Sequence, residues 1–360
     1  MNHEAMATPV TSAIGAKVSM KTTSDQERRQ LHNLACHAGP IVELLQDPLT
    51  LDVVVNADSR LWVNRLGYGF MCVDHFPPNS SALLLSGIAT VRGIQFDHDH
   101  PILETIFPLT GDRIEGVCSP VVTSPVFAIR TRQKKIFSLQ DMHDGGITTR
   151  KDDPLNSKRN RDEFSREMES SSLDHVDVIR AANRHRRNIL MVGPTGSGKT
   201  TAANSVIHDW LESTPGDRVV IIEDTPELQC SLPNHVQLLS TAHISQAELL
   251  TTTLRLIPKR IVVGEVREEH PARTLLSAWN TGHSGGLATL HADDAVQGLR
   301  KLETLVGGHE ASTRERIASA INMVIFIDGE DRVSAGRKVR EILLIDGFDR
   351  EKQDYAYRFV

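Results

Sequence analysis

The chain has 360 residues, 39% of them hydrophobic and 24% charged, with a formal net charge of −6. That length exceeds one usual core and predicts two domains of roughly 100–200 residues each, and the acidic balance excludes a uniformly basic nucleic-acid binder while leaving room for a local basic patch. Cys36, Cys72, Cys118 and Cys230 are widely spaced and form no C-x-x-C, so the pattern gives no zinc site or disulfide framework and suits reduced cytosolic thiols. No run approaches roughly 20 consecutive apolar residues, and residues 1–23 lack a basic stretch followed by an apolar core, so the expectation is a protein neither exported nor membrane-spanning.

Residues 1–23 are small and polar without periodicity and are read as a flexible arm. Ser24-Asp25-Gln26-Glu27 has capping-box spacing, and Leu31, Leu34, Ala35, Ile41, Leu44 and Leu45 supply apolar positions for one or two helices broken at Gly39-Pro40. Leu51 to Val55 and Leu61 to Val63 flank the turn residues Asn56 to Arg60 as a hairpin. Ser80 to Gly93 reads as a helix, and short strands are expected at Arg113 to Val117 and Val126 to Arg130. His98 and His100 lie in Asp-His-Asp-His, read as a solvated loop because no third ligand group is near. These elements form an α/β N-terminal domain over 24–143.

From 144 to 172 Arg150, Lys151, Lys158, Arg159, Arg161 and Arg166 alternate with acidic residues and apolar ones are scarce, which predicts a charged linker. A second domain follows over 173–360. Leu173, Val176, Ile179 and Ala182 mark a helix, and the basic cluster Arg184 to Arg187 reads as its solvated end. Asn188 to Val192 is an apolar strand, and Thr200 to Ser213 is a helix. Strand and helix then alternate: Val219 to Glu223, Ala247 to Ile257, Arg260 to Gly264, Ala272 to Thr281, Gly286 to Leu290. That alternation predicts a parallel sheet covered by helices. Ser245-x-x-Glu248 and Ser312-x-x-Glu315 have capping-box spacing, and Met323 to Ile327 with Val339 to Ile345 supply an edge hairpin.

Between the first strand and helix of this domain stands Gly193-Pro194-Thr195-Gly196-Ser197-Gly198-Lys199-Thr200-Thr201, which fits the phosphate loop G-x-x-x-x-G-K-[ST] in its required strand-to-helix setting. The glycines let backbone N–H groups face one centre, the helix N-terminus adds partial positive charge, Lys199 adds a full one, and the Thr200 hydroxyl suits Mg²⁺. ATP with Mg²⁺ is the expected ligand. Strand carboxyl ends line the ligand crevice of such a sheet. There stand Glu223-Asp224-Thr225-Pro226-Glu227, Gly264-Glu265-Val266-Arg267, with glycine where most phosphate-loop ATPases carry aspartate, and His283 and His291 around the Gly286 to Leu290 strand. Phosphoryl transfer needs an oriented water and cations around the γ-phosphate. Glu223 is assigned to the water and Glu265 to the Mg²⁺ water shell, with Glu223 helping to hold the metal. Asp224 and Glu227 either support it or cap the loop. Arg255 or Arg267 steadies the acidic residues or the phosphate. His291 and His283 are candidate γ-phosphate sensors or packing residues.

These four boxes in this order resemble the Walker A, Asp, Walker B and His boxes of the secretion ATPases that serve type II and type IV secretion, type IV pili and conjugation, and are most similar to the conjugal-transfer branch. The resemblance covers about residues 110–350. It implies a RecA-like P-loop NTPase C-terminal domain with a smaller α/β N-terminal domain, six copies in a homohexamer ring, and ATP hydrolysis between the two domains. It also implies phosphate-contacting arginines from the N-terminal domain, at the positions of Arg113 and Arg130. The expected function is powering conjugative transfer or type IV secretion from the cytoplasmic side of the inner membrane, with channel components and a coupling protein as partners and no zinc. A pilus or type II secretion motor and a DNA-translocating RecA-like ATPase are the alternatives, direct DNA binding being left open.

Overall fold

A computed structural model describes residues 25–132, 138–148, 163–169, 173–330 and 333–360. The arm over 1–23, the cap Ser24 and most of the charged run, 149–162 and 170–172, lie outside the described residues. Helices α1 (Asp25–Ala38) and α2 (Ile41–Gln46) part at Gly39, whose φ of +50° places the chain in the left-handed region ahead of Pro40. Strands β1 (Thr50–Val55) and β2 (Arg60–Arg65) form the expected hairpin, joined by β3 (Gly69–His75). Helix α3 (Pro78–Arg92) starts on a proline and stops at Gly93. With β4 (Ile102–Ile106), β5 (Arg113–Val117) and β6 (Val126–Arg130) the strands build one antiparallel sheet in the order β3-β2-β1-β6-β5-β4. Strands β3 and β4 escaped the sequence reading because both are edges without apolar alternation.

The unbroken run Val53-Val54-Val55 needs apolar cover on both sides of the sheet. Val53 and Val55 pack with Leu34, Leu84, Leu85 and Ile88 under the helices, whereas Val54 joins Trp62, Val117, Val121 and Ala128 in a core shared with the second half of the chain. Period-two alternation therefore divides one strand between two cores. A buried arginine closes the contact: Arg218 Nη1 donates to Asn56 Oδ1 and Asn234 Oδ1, each at 2.6 Å, and its Nε to Leu256 O at 2.7 Å.

Past α4 (Leu139–Asp144), a helical turn spans 163–167 inside the stretch expected to be linker. Phe164 and Met168, four residues apart, are each 6% exposed and sit in the core beneath Ile189, Trp210 and Val219. Two apolar side chains on one helical face outweigh their charged neighbours. The basic cluster is likewise bonded and not merely solvated: Glu167 accepts from Arg184 and His185, and Arg186 pairs with Asp217.

The second sheet, ordered β14-β13-β12-β7-β11-β10-β8-β9, has the RecA-like plan. Six strands are mutually parallel: β7 (Ile189–Val192), β8 (Val219–Glu223), β9 (His235–Leu239), β10 (Arg260–Val263), β11 (Leu287–Leu290) and β12 (Met323–Gly329). Strands β13 (Arg337–Asp349) and β14 (Asp354–Phe359) add an antiparallel extension. Helices α5 (His175–Arg184), α6 (Lys199–Ser213), α7 (Gln246–Thr253), α8 (Glu269–Asn280), α9 (Ala295–Leu305) and α10 (Ala311–Ala320) accompany the parallel strands. Ser245 caps α7 through Glu248 N at 3.2 Å. Ser312 does not cap α10, which starts one residue before it, and its hydroxyl bonds Glu310 instead.

Candidate active site

Strand β7 delivers the chain into the phosphate loop at the carboxyl edge of the parallel strands, and α6 starts at Lys199. Gly196 and Gly198 have φ of +77° and +97°, a conformation that aims successive backbone N–H groups inward. The loop opens on a cavity of about 450 Å³ whose walls include Lys199, Thr200, Glu223, Glu265 and His291. Four separate strand ends thus converge where sequence alone gave only four separate motifs. A bound anion suits this cradle, because Ser197 Oγ is buried and lacks a hydrogen-bond partner among the described residues.

Lys199 Nζ donates to the carbonyls of Gly193 and Pro194, each at 2.9 Å, and to His291 Nδ1 at 3.1 Å. With Nδ1 accepting from the lysine, Nε2 is the donor to Glu265 Oε1 at 3.0 Å. His291 therefore links the loop lysine to the Walker B glutamate. Burial lowers the lysine pKa, the Glu265 charge opposes that shift, and the Lys301 charge adds to it. Arg267 Nη2 holds Glu265 Oε2 at 2.6 Å, the supporting role expected for it.

Glu223 ends β8 and is 3% exposed. Its Oε1 accepts from Glu227 N at 3.0 Å and Leu228 N at 2.8 Å, while Oε2 is buried with no partner among the described residues. Burial raises its pKa against the lowering effect of those two N–H groups. Gly264 faces it: a Cβ there would stand 2.9 Å from Glu223 Cγ. The space that an aspartate would need belongs to the Glu223 stem, which accounts for glycine in that place. Thr200 Oγ1 donates to Glu227 Oε2 at 3.0 Å, and Asn204, four residues along α6, holds the same loop through Gln229 N at 2.8 Å. Asp224 turns to Ser240 and Gln246, acting in its loop.

Four expected residues lie elsewhere. His283 precedes β11 and bonds Pro258 O at 3.3 Å, whereas His291 follows it; a four-residue parallel strand separates them, so only His291 reaches the cavity. Arg255 pairs with Glu104 and lines a second cavity of about 430 Å³. Arg113 and Arg130 line that cavity too, Arg130 Nε holding Asp52 Oδ1 at 2.9 Å, and it shares no residue with the phosphate-loop cavity. The chain's own fold does not bring these arginines to its own phosphate loop. Glu115 is buried there, across from Glu104, and burial pushes its pKa up to about 8.

Two residues at the site went unread in the sequence. Asn204 was detectable from its i+4 spacing to Thr200. Arg337, whose Nη1 donates to Thr201 Oγ1 at 2.7 Å, was not, since 136 residues separate the partners.

Comparison with known proteins follows the same lines. The family model described as type II/IV secretion system protein matches residues 135–328. The chain is 36% identical over 307 residues to the conjugal transfer protein TrbB of Rhizobium radiobacter, covering 84% of this chain and 86% of that relative. It is 30% identical over 312 residues to the protein VirB11 of Agrobacterium fabrum, covering 79% and 87%. The fold matches the crystal structure of the VirB11 ATPase of the Brucella suis type IV secretion system with a TM-score of 0.76 at 22% identity, over 89% of this chain and 96% of that one.

Proposed function

The chain belongs to the type II/IV secretion system protein family and is an ATPase of its type IV secretion and conjugation branch, and from that premise we infer how it works. ATP is hydrolysed in the phosphate-loop cavity. Lys199 and the loop N–H groups neutralise the phosphate chain and position it. Glu223 Oε2, a buried carboxylate oxygen without a partner among the described residues, orients the attacking water and accepts its proton; its raised pKa makes it a better base near neutrality. A bound Mg²⁺ would neutralise β- and γ-phosphate oxygens, held by the Thr200 hydroxyl directly and by Glu223 and Glu265 through water. His291, between Lys199 and Glu265, reports the γ-phosphate to both. The observation that carries the reading is the convergence of Lys199, Thr200, Glu223, Glu265 and His291 on one cavity.

The assembly is a homohexamer ring, docked through channel components and a coupling protein at the cytoplasmic face of the inner membrane. No described helix is long and apolar enough to cross a membrane. Arg113 and Arg130 then serve the nucleotide of a neighbouring copy, a reading supported by their separation from their own phosphate loop. Phosphate release by the full chain in Mg²⁺ and ATP is expected to fall at least roughly 100-fold in Lys199→Ala. Sedimentation with a non-hydrolysable triphosphate is expected to give six copies. Equal rates in the two proteins, or a monomer at high concentration with nucleotide present, would defeat the reading.

A further inference from the structure

The antiparallel extension of the second sheet reaches back over the phosphate loop. A Cβ on residue 193 would overlap Ile327 O of β12, and one on residue 198 would overlap Arg337 Cδ at the start of β13. The β12–β13 hairpin therefore lies against the glycine side of the loop. Its base is tied down: Arg337 pairs in register with Gly329, and Arg340 Nη1 donates to Glu330 Oε2 at 2.8 Å. Arg337 itself is exposed, lines the cavity, and places one donor on the Thr201 hydroxyl at 2.7 Å. Among the described residues no carboxylate stands within ion-pair distance of it. A guanidinium fork set beside an anion cradle and bonded only to a neutral hydroxyl has most of its donors still to place.

Its position along the cavity decides which part of a nucleotide it meets. Thr200 and Thr201 are about 100° apart around α6. The Thr200 hydroxyl turns toward Glu227 and the acidic residues, and the Thr201 hydroxyl turns toward Arg337. With the γ-phosphate at Glu223, Glu265 and His291, the other end of the triphosphate passes Thr201.

We propose that Arg337 holds the α-phosphate of the bound nucleotide, so that the β12–β13 hairpin engages nucleoside triphosphate and diphosphate alike. The inference rests on nucleotide occupying the phosphate-loop cavity. Loss of a contact common to ATP and ADP raises KM and the ADP inhibition constant together, and acts on kcat less than on either.

The test is titration of ADP and a non-hydrolysable triphosphate against the full chain and its Arg337→Ala, Arg337→Met and Arg337→Lys variants, with KM and kcat for ATP. Methionine keeps an aliphatic stem against Gly198 and removes the charge. Arg337→Ala and Arg337→Met are expected to weaken both ligands by roughly 10–100-fold, the worth of charge-assisted hydrogen bonds, and Arg337→Lys to recover part of the loss. KM should rise by a larger factor than kcat falls. If Arg337→Ala does not fold, the other two variants carry the measurement. Wild-type affinity in Arg337→Met, or a loss confined to the triphosphate, overturns the proposal. If Lys199→Ala also abolishes binding in that experiment, the hydrolysis reading survives; a wild type that binds no nucleotide ends both.

Discussion

Asp217, two residues before β8, and Glu223, its last residue, are 6% and 3% exposed and are treated oppositely by the fold. At the amino end Asp217 has both oxygens occupied, Oδ1 by Arg186 and Oδ2 by Arg260 at 2.8 Å. Arg260 in turn places Nη1 on Gly285 O, Nη2 on Asn183 O and Thr214 Oγ1, and its plane over Trp210 at 4.5 Å. At the carboxyl end Glu223 keeps one buried oxygen without a partner among the described residues. A buried polar atom left unpaired costs about 1–3 kcal/mol. That cost is removed at Asp217 and remains at Glu223, where the proposed substrate water would supply the missing bond. Pairing, and not burial or charge, distinguishes these two carboxylates.

Three variants sharpen the contrast. Glu223→Gln should have the largest effect, lowering kcat by roughly 10²–10⁴ in steady-state hydrolysis. It should also raise Tm at neutral pH, because a carboxyl whose folded pKa lies above its unfolded value loses stability as pH rises, and glutamine carries no charge to bury. Arg260→Ala should act the other way, costing about 3–4 kcal/mol of stability by leaving Asp217 and two carbonyls short of a donor, as read by denaturant unfolding. Equal destabilisation by the two variants would erase the distinction. The smallest effect belongs to Glu115→Gln, a test of burial without chemistry. Its pKa rises from 4.5 to about 8, so the wild type keeps its full contribution below pH 4.5 and loses it through pH 8. The variant should match the wild type at pH 4 and exceed it by a margin that grows as pH rises from 4.5 through 8. A gap of constant size across that range would refute the buried-acid account.

Much of the fold was legible because its signals were local. The phosphate loop, the β1–β2 hairpin, β5, β6 and the strand-helix alternation after Val219 each announce themselves within about ten residues, through periodicity, caps or glycines. The edge strands β3 and β4, and the Phe164 and Met168 anchor, went unread since each depends on distant partners for its burial. Within the site, Lys199, Thr200, Glu223, Glu265 and His291 were identifiable from motif and strand end. Arg113 and Arg130 were expected at the phosphates from the resemblance alone, and their own chain holds them in another cavity.

The sequence alone placed a phosphate-loop motif at a strand-to-helix turn, with carboxylates and a histidine at neighbouring strand ends, since motif chemistry and strand direction are written in consecutive residues. Tertiary structure alone decided which histidine reaches the cleft, why residue 264 is glycine, that Arg337 arrives 136 residues after Thr201, and that Glu223 keeps an oxygen unpaired among the described residues. The reason is physical: hydrogen-bond satisfaction and steric exclusion are properties of pairs brought together by packing, and no spacing along the chain encodes them.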